Sequence, residues 1–345
     1  MLREDDVRSA PAYGRAAAWT RSRQRADGYL PWDEGGYADP WNMIEAAMGL
    51  DCTGSQAAAR STYHWLAASQ ARGGSWFSGY RHGHPEERSH DANFCAYIAT
   101  GLWHHYLFTR DVPFLDEMWP TLRRAVDFVL DLQAPTGEIR WARDEHGEPW
   151  PAALVTSSSC IALSLRCAIA IAELLDRDRP DWELSLTQLD AAVATGEGTF
   201  LDKRRYSMDW YYPVLSGVVR GPEARARLVS RWDDFVVVGR GARCVIDRPW
   251  VTTGETCELV IACLIAGMPD EAEALFEWVH HLADADGGYW TGVTFPDGIV
   301  WPVEKTTWNA GAVLLAADCL QGGPTLSLFD GSSMLSALDP IADAI

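Results

Sequence analysis

Residues 160–175 read CIALSLRCAIAIAELL, a helical stretch built almost wholly from small and medium-sized apolar residues. Residues 257–268, CELVIACLIAGM, have the same character, whereas residues 54–71, GSQAAARSTYHWLAASQA, alternate polar and apolar positions. A helix that is apolar all round is buried, and a helix with a single apolar face lies at a surface. The sequence therefore predicts two classes of helix, an inner wall and an outer layer.

Helical periodicity recurs in twelve segments, and signals for strands are scarce. The predicted helices cover residues 10–26, 40–49, 54–72, 91–109, 111–133, 157–175, 181–196, 209–218, 222–235, 253–267, 269–285 and 306–320. Short turns alternate with long loops, so the helices pair into six hairpins. The long loops begin near Gly28, Gly73, Gly137, Gly198, Gly241 and Gly287.

Six such hairpins can close into a ring, because one hairpin alone cannot bury its apolar faces. We predict an all-α fold, an (α/α)6 barrel or six-hairpin toroid, in which residues 1–345 form a single domain. Residues 322–345 are a C-terminal tail whose packing the sequence leaves open. An open superhelical stack is the alternative, and no long terminal repeat series supports it. In a barrel the six long loops rise at one end, the mouth, where a site is predicted.

Composition narrows the classes of partner. The formal net charge is −19, which argues against nucleic acid or an anionic membrane because phosphate binding needs a basic surface. The eight cysteines form no C-x-x-C pair and are predicted to be buried free thiols. Residues 1–14 lack an apolar signal segment, and we expect no apolar run as long as a membrane span. We therefore expect a soluble, cytoplasmic protein, with its oligomeric state left open.

Acidic residues stand at the predicted starts of several inner helices. Asp39–Pro40 fits an N-cap followed by proline at the first helical position. The segment Thr252–Glu255 fits a capping box. Asp91 and Asp209 also fit helix caps. Capping explains each acid singly, but it does not require several acids to meet at one mouth with aromatic neighbours.

Aromatic residues accompany these acids, and the chain contains 17 tryptophans. Flat apolar ring faces in loops suit sugar rings or isoprenoids. The predicted ligand-contacting residues are Tyr37, Trp41, Trp76, Tyr80, Asp91, Asp209, Trp210, Tyr211, Trp250, Trp290, Glu304 and Trp308. Glycosidic bond cleavage needs two carboxyl groups between such walls, one protonated to donate to the leaving oxygen and one ionised.

Metal and cofactor chemistry have little support in the sequence. Adjacent histidines on a helix, as at 104–105 and 280–281, point about 100° apart and rarely bind one ion. We predict partly exposed structural histidines, no metal site and no cofactor. A phosphate-binding loop, a glycine-rich dinucleotide motif and a G-x-S-x-G nucleophile elbow are all missing.

Two known groups share the predicted toroid. QARGGSW at 70–76 resembles the Gln–Gly–Trp repeats of triterpene cyclases, and ADGGYW at 285–290 resembles them weakly. The chain lacks the D-x-D-D motif of those cyclases and the C-x-x-G-G segment and zinc set of protein prenyltransferases. An isoprenoid enzyme is kept as an alternative. A second alternative is a non-catalytic glycan-binding module in which the acids are only caps.

The chain also resembles six-hairpin glycosidases, and within them the actinobacterial hydrolases of methylmannose polysaccharides. The resemblance rests on DPWNMIEAAMGL (39–50), SMDWYYPVLSG (207–217), RPWVTTGETCEL (248–259) and VEKTTWNAGAVLLA (303–316). It implies cleavage of internal α-1,4-mannosidic bonds in an intracellular oligosaccharide or polysaccharide. It also implies Asp39 and Glu255 as the catalytic pair. We assign Glu255 as the proton donor and Asp39 as the base, with Asp209 and Glu304 in reserve.

Overall fold

The computed structural model describes residues 10–196, 198 and 200–334, and within them helices dominate. In chain order the helices are α1 (Ala10–Arg23), α2 (Pro40–Asp51), α3 (Gln56–Ser69), α4 (Ala92–Ala96), α5 (Ile98–Thr109), α6 (Val112–Leu130), α7 (Val155–Leu174), α8 (Pro180–Thr195), α9 (Ser207–Leu215), α10 (Gly221–Ser230), α11 (Trp232–Phe235), α12 (Thr253–Ile265), α13 (Pro269–Val279), α14 (Thr307–Leu320) and α15 (Pro324–Phe329). Helices α2, α5, α7, α9, α12 and α14 pack side by side, and α14 packs back on α2. The inner helices therefore form a closed ring, as predicted.

All twelve predicted helices are present, with differences at their ends. The segment predicted at 91–109 breaks at Tyr97 into α4 and α5. The segment predicted at 222–235 breaks at Arg231, whose φ of −132° and ψ of 19° leave the helical region. Helix α15 was not predicted; it falls in the C-terminal tail, and its Leu328 and Phe329 are buried. Residues 335–345 of that tail lie outside the described residues.

The two classes of helix differ in burial as the sequence predicts. Every residue of α2 is buried, whereas α6 in the outer layer buries one face that includes Phe114, Met118 and Leu122. Helix α7 is long and apolar enough to cross a membrane by length and composition, contrary to our expectation of no such run. Since 78% of its most apolar window is buried inside the protein, α7 is a core helix.

Glycines let neighbouring hairpins approach closely. Gly28 has a φ of 91°, and a Cβ atom there would lie 2.1 Å from a backbone oxygen of α3. A Cβ atom at Gly74 would likewise clash with the backbone of α6, and a Cβ atom at Gly137 would clash with the backbone of α8. In the last of the six long loops, a Cβ atom at Gly287 would lie 2.6 Å from the backbone oxygen of Arg15 in α1. The last long loop therefore touches the first outer helix, which closes the outer layer.

Short antiparallel strands connect the long loops at the mouth. They are β1 (Tyr37–Ala38), β2 (Gly79–Arg81), β3 (His84–Glu87), β4 (His90–Asp91), β5 (Ala142–Arg143), β6 (Val236–Val237), β7 (Gly241–Arg243), β8 (Trp250–Thr252) and β9 (Gly292–Thr294). They form three sheets, β1-β2-β3, β4-β5 and β6-β7-β8-β9. Strand β1 ends directly before Asp39, and β8 ends three residues before Glu255. The sheets therefore fix the positions at which the inner helices begin.

Candidate active site

Asp39 caps α2 and is almost completely buried. Its backbone is extended (φ −124°, ψ 161°), and Oδ1 accepts a 2.9 Å hydrogen bond from the backbone N–H of Asn42. The side-chain amide of Asn42 donates to the other carboxylate oxygen. Only 2% of Asp39 is exposed, and burial raises its pKa to about 7 because the charged form loses its water. Asp39 is thus both a helix cap and a group able to hold a proton near neutral pH.

Glu255 lies in the first turn of α12 and is 6% exposed. Thr252 is the N-cap residue, but its side chain makes no cap hydrogen bond, so this half of the predicted capping box is missing. The thiol of Cys244 lies beside the Glu255 carboxyl group; burial raises the pKa of that thiol, and the charge of Glu255 raises it further. The structure thus leaves the Thr252 half of the capping box unformed and places the Glu255 carboxyl group beside a thiol.

Trp308 packs between the starts of the two helices that carry Asp39 and Glu255. Its ring lies edge-on to that of Trp41, with the centroids 5.8 Å apart. On the other side, a Cβ atom at Gly254 would lie 2.5 Å from the Trp308 ring. Trp41 follows Asp39 by two residues and Gly254 directly precedes Glu255, so the helix starts that carry the two acids contact the same aromatic ring.

Asp91 is a third buried acid at the start of a helix. It caps α4 through a 2.8 Å bond from the Asn93 backbone N–H, and the indole N–H of Trp141 donates to its second oxygen at 2.6 Å. Burial raises the pKa of Asp91 to about 6. Its charge in turn contributes to the raised pKa of Asp39, so the two acids lie within electrostatic reach.

Asp209 and Glu304 are held by threonine hydroxyls. Asp209 is not the N-cap of α9 as predicted, because Tyr206 occupies that position. Instead, Asp209 Oδ1 accepts a 2.9 Å bond from Thr156 Oγ1. Glu304 is half-buried and accepts from Thr291 Oγ1 at 3.2 Å. Burial raises the pKa of both carboxyl groups.

Several predicted sugar-contacting aromatics belong to the core instead. Four have at most 2% of their surface exposed: Trp76, Tyr80, Trp210 and Tyr211. The indole N–H of Trp76 donates to the backbone oxygen of Leu66, and that of Trp210 donates to the backbone oxygen of Arg227. Their polar atoms and rings are used within the protein, so their predicted contact with sugar is corrected to a packing role.

The remaining predicted aromatics lie nearer the mouth surface. Trp41 and Trp308 are 7% and 8% exposed, and the half-buried ones are Tyr37, Trp250 and Trp290. The ring of Trp250 lies 5.0 Å from that of Trp301, which is 56% exposed. These residues stay candidates for contact with a ligand.

Comparison with known proteins identifies the chain's family. No protein-family model matches the chain. A protein of Mycolicibacterium hassiacum named MMP endo-(1,4)-3-O-methyl-alpha-D-mannosidase is 46% identical over 317 residues, which is 92% of this chain and 88% of that protein. The chain belongs to this mannosidase family. It is accordingly a glycoside hydrolase, and the isoprenoid alternative is not favoured.

Solved structures support the fold of this mannosidase family member. A wild-type glycosidase has a TM-score of 0.76 at 16% identity, covering 94% of this chain and all of that one. A mannosylglycerate hydrolase from Thermus thermophilus in complex with glucose has a TM-score of 0.69 at 12% identity, and the match covers 89% of this chain and 99% of that one. A sugar epimerase from a ruminal bacterium has a TM-score of 0.65 at 9% identity, covering 89% and 98%. Because one fold hosts different reactions, these likenesses show the fold alone.

A buried acid pair that the sequence analysis missed lies farther along the same helices. Glu45 in α2 accepts a hydrogen bond from Tyr97, and Glu258 in α12 accepts from Tyr211 and Tyr212. Burial raises the pKa of Glu45 to about 7 and that of Glu258 well above its usual range. In the sequence, each of these residues is an acid inside an otherwise apolar helix, and that pattern could have revealed the pair. The two carboxyl groups tie inner helices of the family member together.

His104, His105 and most cysteines of this family member are buried, whereas His82, His84 and His281 are exposed. His104 and His105 are fully buried, not partly exposed as predicted, and His105 Nδ1 lies 2.8 Å from Asp51 Oδ1. Across the described residues, no group of three His, Cys, Asp or Glu side chains is placed to hold a metal ion. All eight cysteines are free thiols; Cys52 and Cys244 are half-buried and the other six are buried.

Proposed function

We propose that this chain hydrolyses internal α-1,4 linkages in a polysaccharide of 3-O-methylated mannose units, the activity named for its relative. The observation that carries the proposal is the 46% identity to the Mycolicibacterium hassiacum mannosidase over 92% of this chain. The proposal is supported by two buried acids, Asp39 and Glu255, at the starts of helices that both contact Trp308, because glycosidic cleavage needs two carboxyl groups.

Within this proposal, Asp39 is the proton donor and Glu255 the base, the reverse of our sequence-based assignment. A donor must be protonated at the working pH, and burial raises the pKa of Asp39 to about 7. The hydrogen bonds from Asn42 hold the Asp39 carboxyl group in a fixed orientation. Glu255 would then accept a proton from the attacking water.

Further contacts to the sugar are proposed for the acids and aromatics that lie nearest the mouth. The residues concerned are Tyr37, Trp41, Asp91, Asp209, Trp250, Trp290, Glu304 and Trp308. Carboxylates accept hydrogen bonds from sugar hydroxyls, and indole rings cover the C–H faces of a pyranose. The substrate is thus an oligosaccharide or polysaccharide.

The test is incubation with 3-O-methylated α-1,4-mannooligosaccharides, followed by mass spectrometry of the products. The wild type is expected to release shorter oligosaccharides from internal positions. Asp39→Asn and Glu255→Gln should each lower the rate by about 10²-fold or more, since each removes an acid–base group. Asp233→Asn, at an exposed position, is the matched control and should keep full activity.

Three outcomes would count against the proposal. Full activity in either folded active-site variant would overturn the catalytic assignment. Binding of the oligosaccharide by the wild type without any cleavage would favour the glycan-binding alternative. Turnover of a prenyl diphosphate in a parallel incubation would favour the isoprenoid alternative.

A further inference from the structure

Five aromatic rings from separate parts of the chain form a continuous row at the mouth, here called the aromatic row. In order they are Tyr37, Trp32, Trp308, Trp41 and Tyr97. Successive ring centroids are 5.7, 6.4, 5.8 and 5.1 Å apart. The row runs from strand β1 across α14 and α2 to the junction of α4 and α5. Such spacings place each ring in contact with the next.

The aromatic row has a buried end and an open end. Tyr97, Trp41 and Trp308 are at most 8% exposed, whereas Trp32 and Tyr37 are half-buried. The buried part passes between the helix starts that carry the two candidate catalytic acids. The open end therefore extends a ring surface outward from the proposed point of cleavage.

Trp32, which the sequence analysis did not select, is held firmly at this open end. Its backbone oxygen accepts a 2.9 Å bond from the Thr307 backbone N–H, and Thr307 Oγ1 donates to the oxygen of Pro31 at 2.9 Å. Its own backbone N–H donates to the backbone oxygen of Tyr37. These bonds tie the loop that carries Trp32 to the start of α14 and so fix the backbone from which its ring projects.

The indole N–H groups of Trp32 and Trp308 are both buried, and neither has a hydrogen-bond partner among the residues the structure describes. A buried donor without a partner is unfavourable, so each of these N–H groups is free to donate to a water molecule or to an acceptor on a bound ligand. An indole N–H can only donate. The hydroxyl of Tyr37 is already engaged with Glu87 Oε1 at 3.2 Å.

We propose that the open end of the aromatic row is a subsite for an O-methylated sugar ring, and that Trp32 sets the preference for methylated over unmethylated substrate. The methyl group lies against the indole face, where apolar contact is favourable. The ether oxygen of a methoxyl group accepts from an N–H donor and carries no hydrogen of its own. A free hydroxyl would bring an O–H group to a surface whose unpartnered indole groups cannot accept it. This inference rests on the proposed function and adds the residue that recognises the modification.

The test compares kcat/KM for 3-O-methylated and unmethylated α-1,4-mannooligosaccharides of equal length. The wild type should prefer the methylated substrate by about tenfold or more, the least that one methyl group contributes in an apolar pocket. Trp32→Ala should reduce that preference to near one by lowering kcat/KM for the methylated substrate, and Trp32→Phe should keep part of it. Trp119→Ala, a half-buried tryptophan that packs on Trp182 in the outer layer, is the matched control and should keep the wild-type ratio.

A binding measurement keeps the inference testable if the tryptophan variants fold poorly. Saturation-transfer NMR of the methylated oligosaccharide with Asp39→Asn should show the methoxyl protons among those closest to the protein. Weak transfer to those protons would overturn the inference, as would an unchanged preference in Trp32→Ala or equal rates of the wild type on both substrates. Those results would leave the proposed hydrolysis intact, whereas a wild type that cleaves neither substrate would overturn both proposals.

Discussion

Replacing Asp39 by asparagine should stabilise the protein at alkaline pH while it lowers activity. The pKa of Asp39 rises from 3.8 to about 7 on folding, because the carboxyl group is buried. Between these two values the native state holds a proton that the unfolded state has released, so stability falls as pH rises. The stabilising contribution is complete below pH 3.8 and is lost once pH passes the folded-state value. Asparagine carries no charge and removes this dependence.

The size of the effect follows from the same pKa shift. A shift of about three units corresponds to ~4 kcal/mol, at 1.36 kcal/mol for each unit. Asparagine keeps the contact with Asn42, since Asn42 Oδ1 has no hydrogen-bond partner in the described part of the chain and can turn to accept from the new amide. The free energy of unfolding of Asp39→Asn, relative to that of the wild type, should therefore increase by about 2–3 kcal/mol as pH rises from 5 to 8. For a chain of this length, that increase widens the difference in Tm between Asp39→Asn and the wild type by roughly 3–4 °C.

The assay is thermal unfolding of wild type and Asp39→Asn at pH 5, 6, 7 and 8, followed by circular dichroism. The quantity to examine is the difference in Tm between the two proteins, because other groups titrate equally in both. Asp233→Asn serves as the control and should show a constant difference. A difference for Asp39→Asn that does not grow with pH would refute the reasoning, because it would mean that burial costs the charged carboxylate little.

Two further predictions concern the same site. Because Asp39 is proposed to donate a proton, kcat/KM should fall about tenfold for each pH unit above its pKa of about 7; a pH–rate profile that stays flat to pH 9 would contradict this. Gly254→Ala should place a methyl group against the Trp308 ring, where the Cβ atom would lie at 2.5 Å. Such overpacking costs about 1–3 kcal/mol and should lower both Tm and kcat/KM. Gly14→Ala, where a Cβ atom meets nothing within 4 Å, is the matched control, and an equal Tm in both variants would contradict the prediction.

The helices and their closure into a ring could be predicted because burial leaves a direct mark on composition. A helix such as α7, enclosed on all sides, has apolar residues on every face, and this is visible in CIALSLRCAIAIAELL. The strands could not be predicted, because segments of two to four residues are too short to show an alternating pattern. They form through pairing between loops that are distant in the sequence, as between β8 and β9.

The candidate site was only partly predictable, because the direction of a side chain depends on packing. Trp76 and Trp308 both sit near loop signals in the sequence, yet Trp76 fills the core and Trp308 contacts the starts of the two helices that carry the candidate acids. Trp32 was not among the predicted ligand-contacting residues, because its neighbours in space, including Trp308 and Thr307, lie about 275 positions away along the chain. The acids Asp39 and Glu255 were found because helix starts carry strong local signals.

Ring closure has a consequence for the order in which the protein can mature during synthesis. Helix α2 packs against α14, the last inner helix, and Gly287 reaches back to α1. A ribosome adds roughly 5–20 residues each second, so the first hairpin waits many seconds for the partner that covers its apolar face. Trp308 belongs to α14 and is therefore synthesised together with that partner helix. A nascent chain that lacks the last hairpin is therefore without both a closed ring and a complete site, and catalytic competence should appear only as the final helices leave the ribosome.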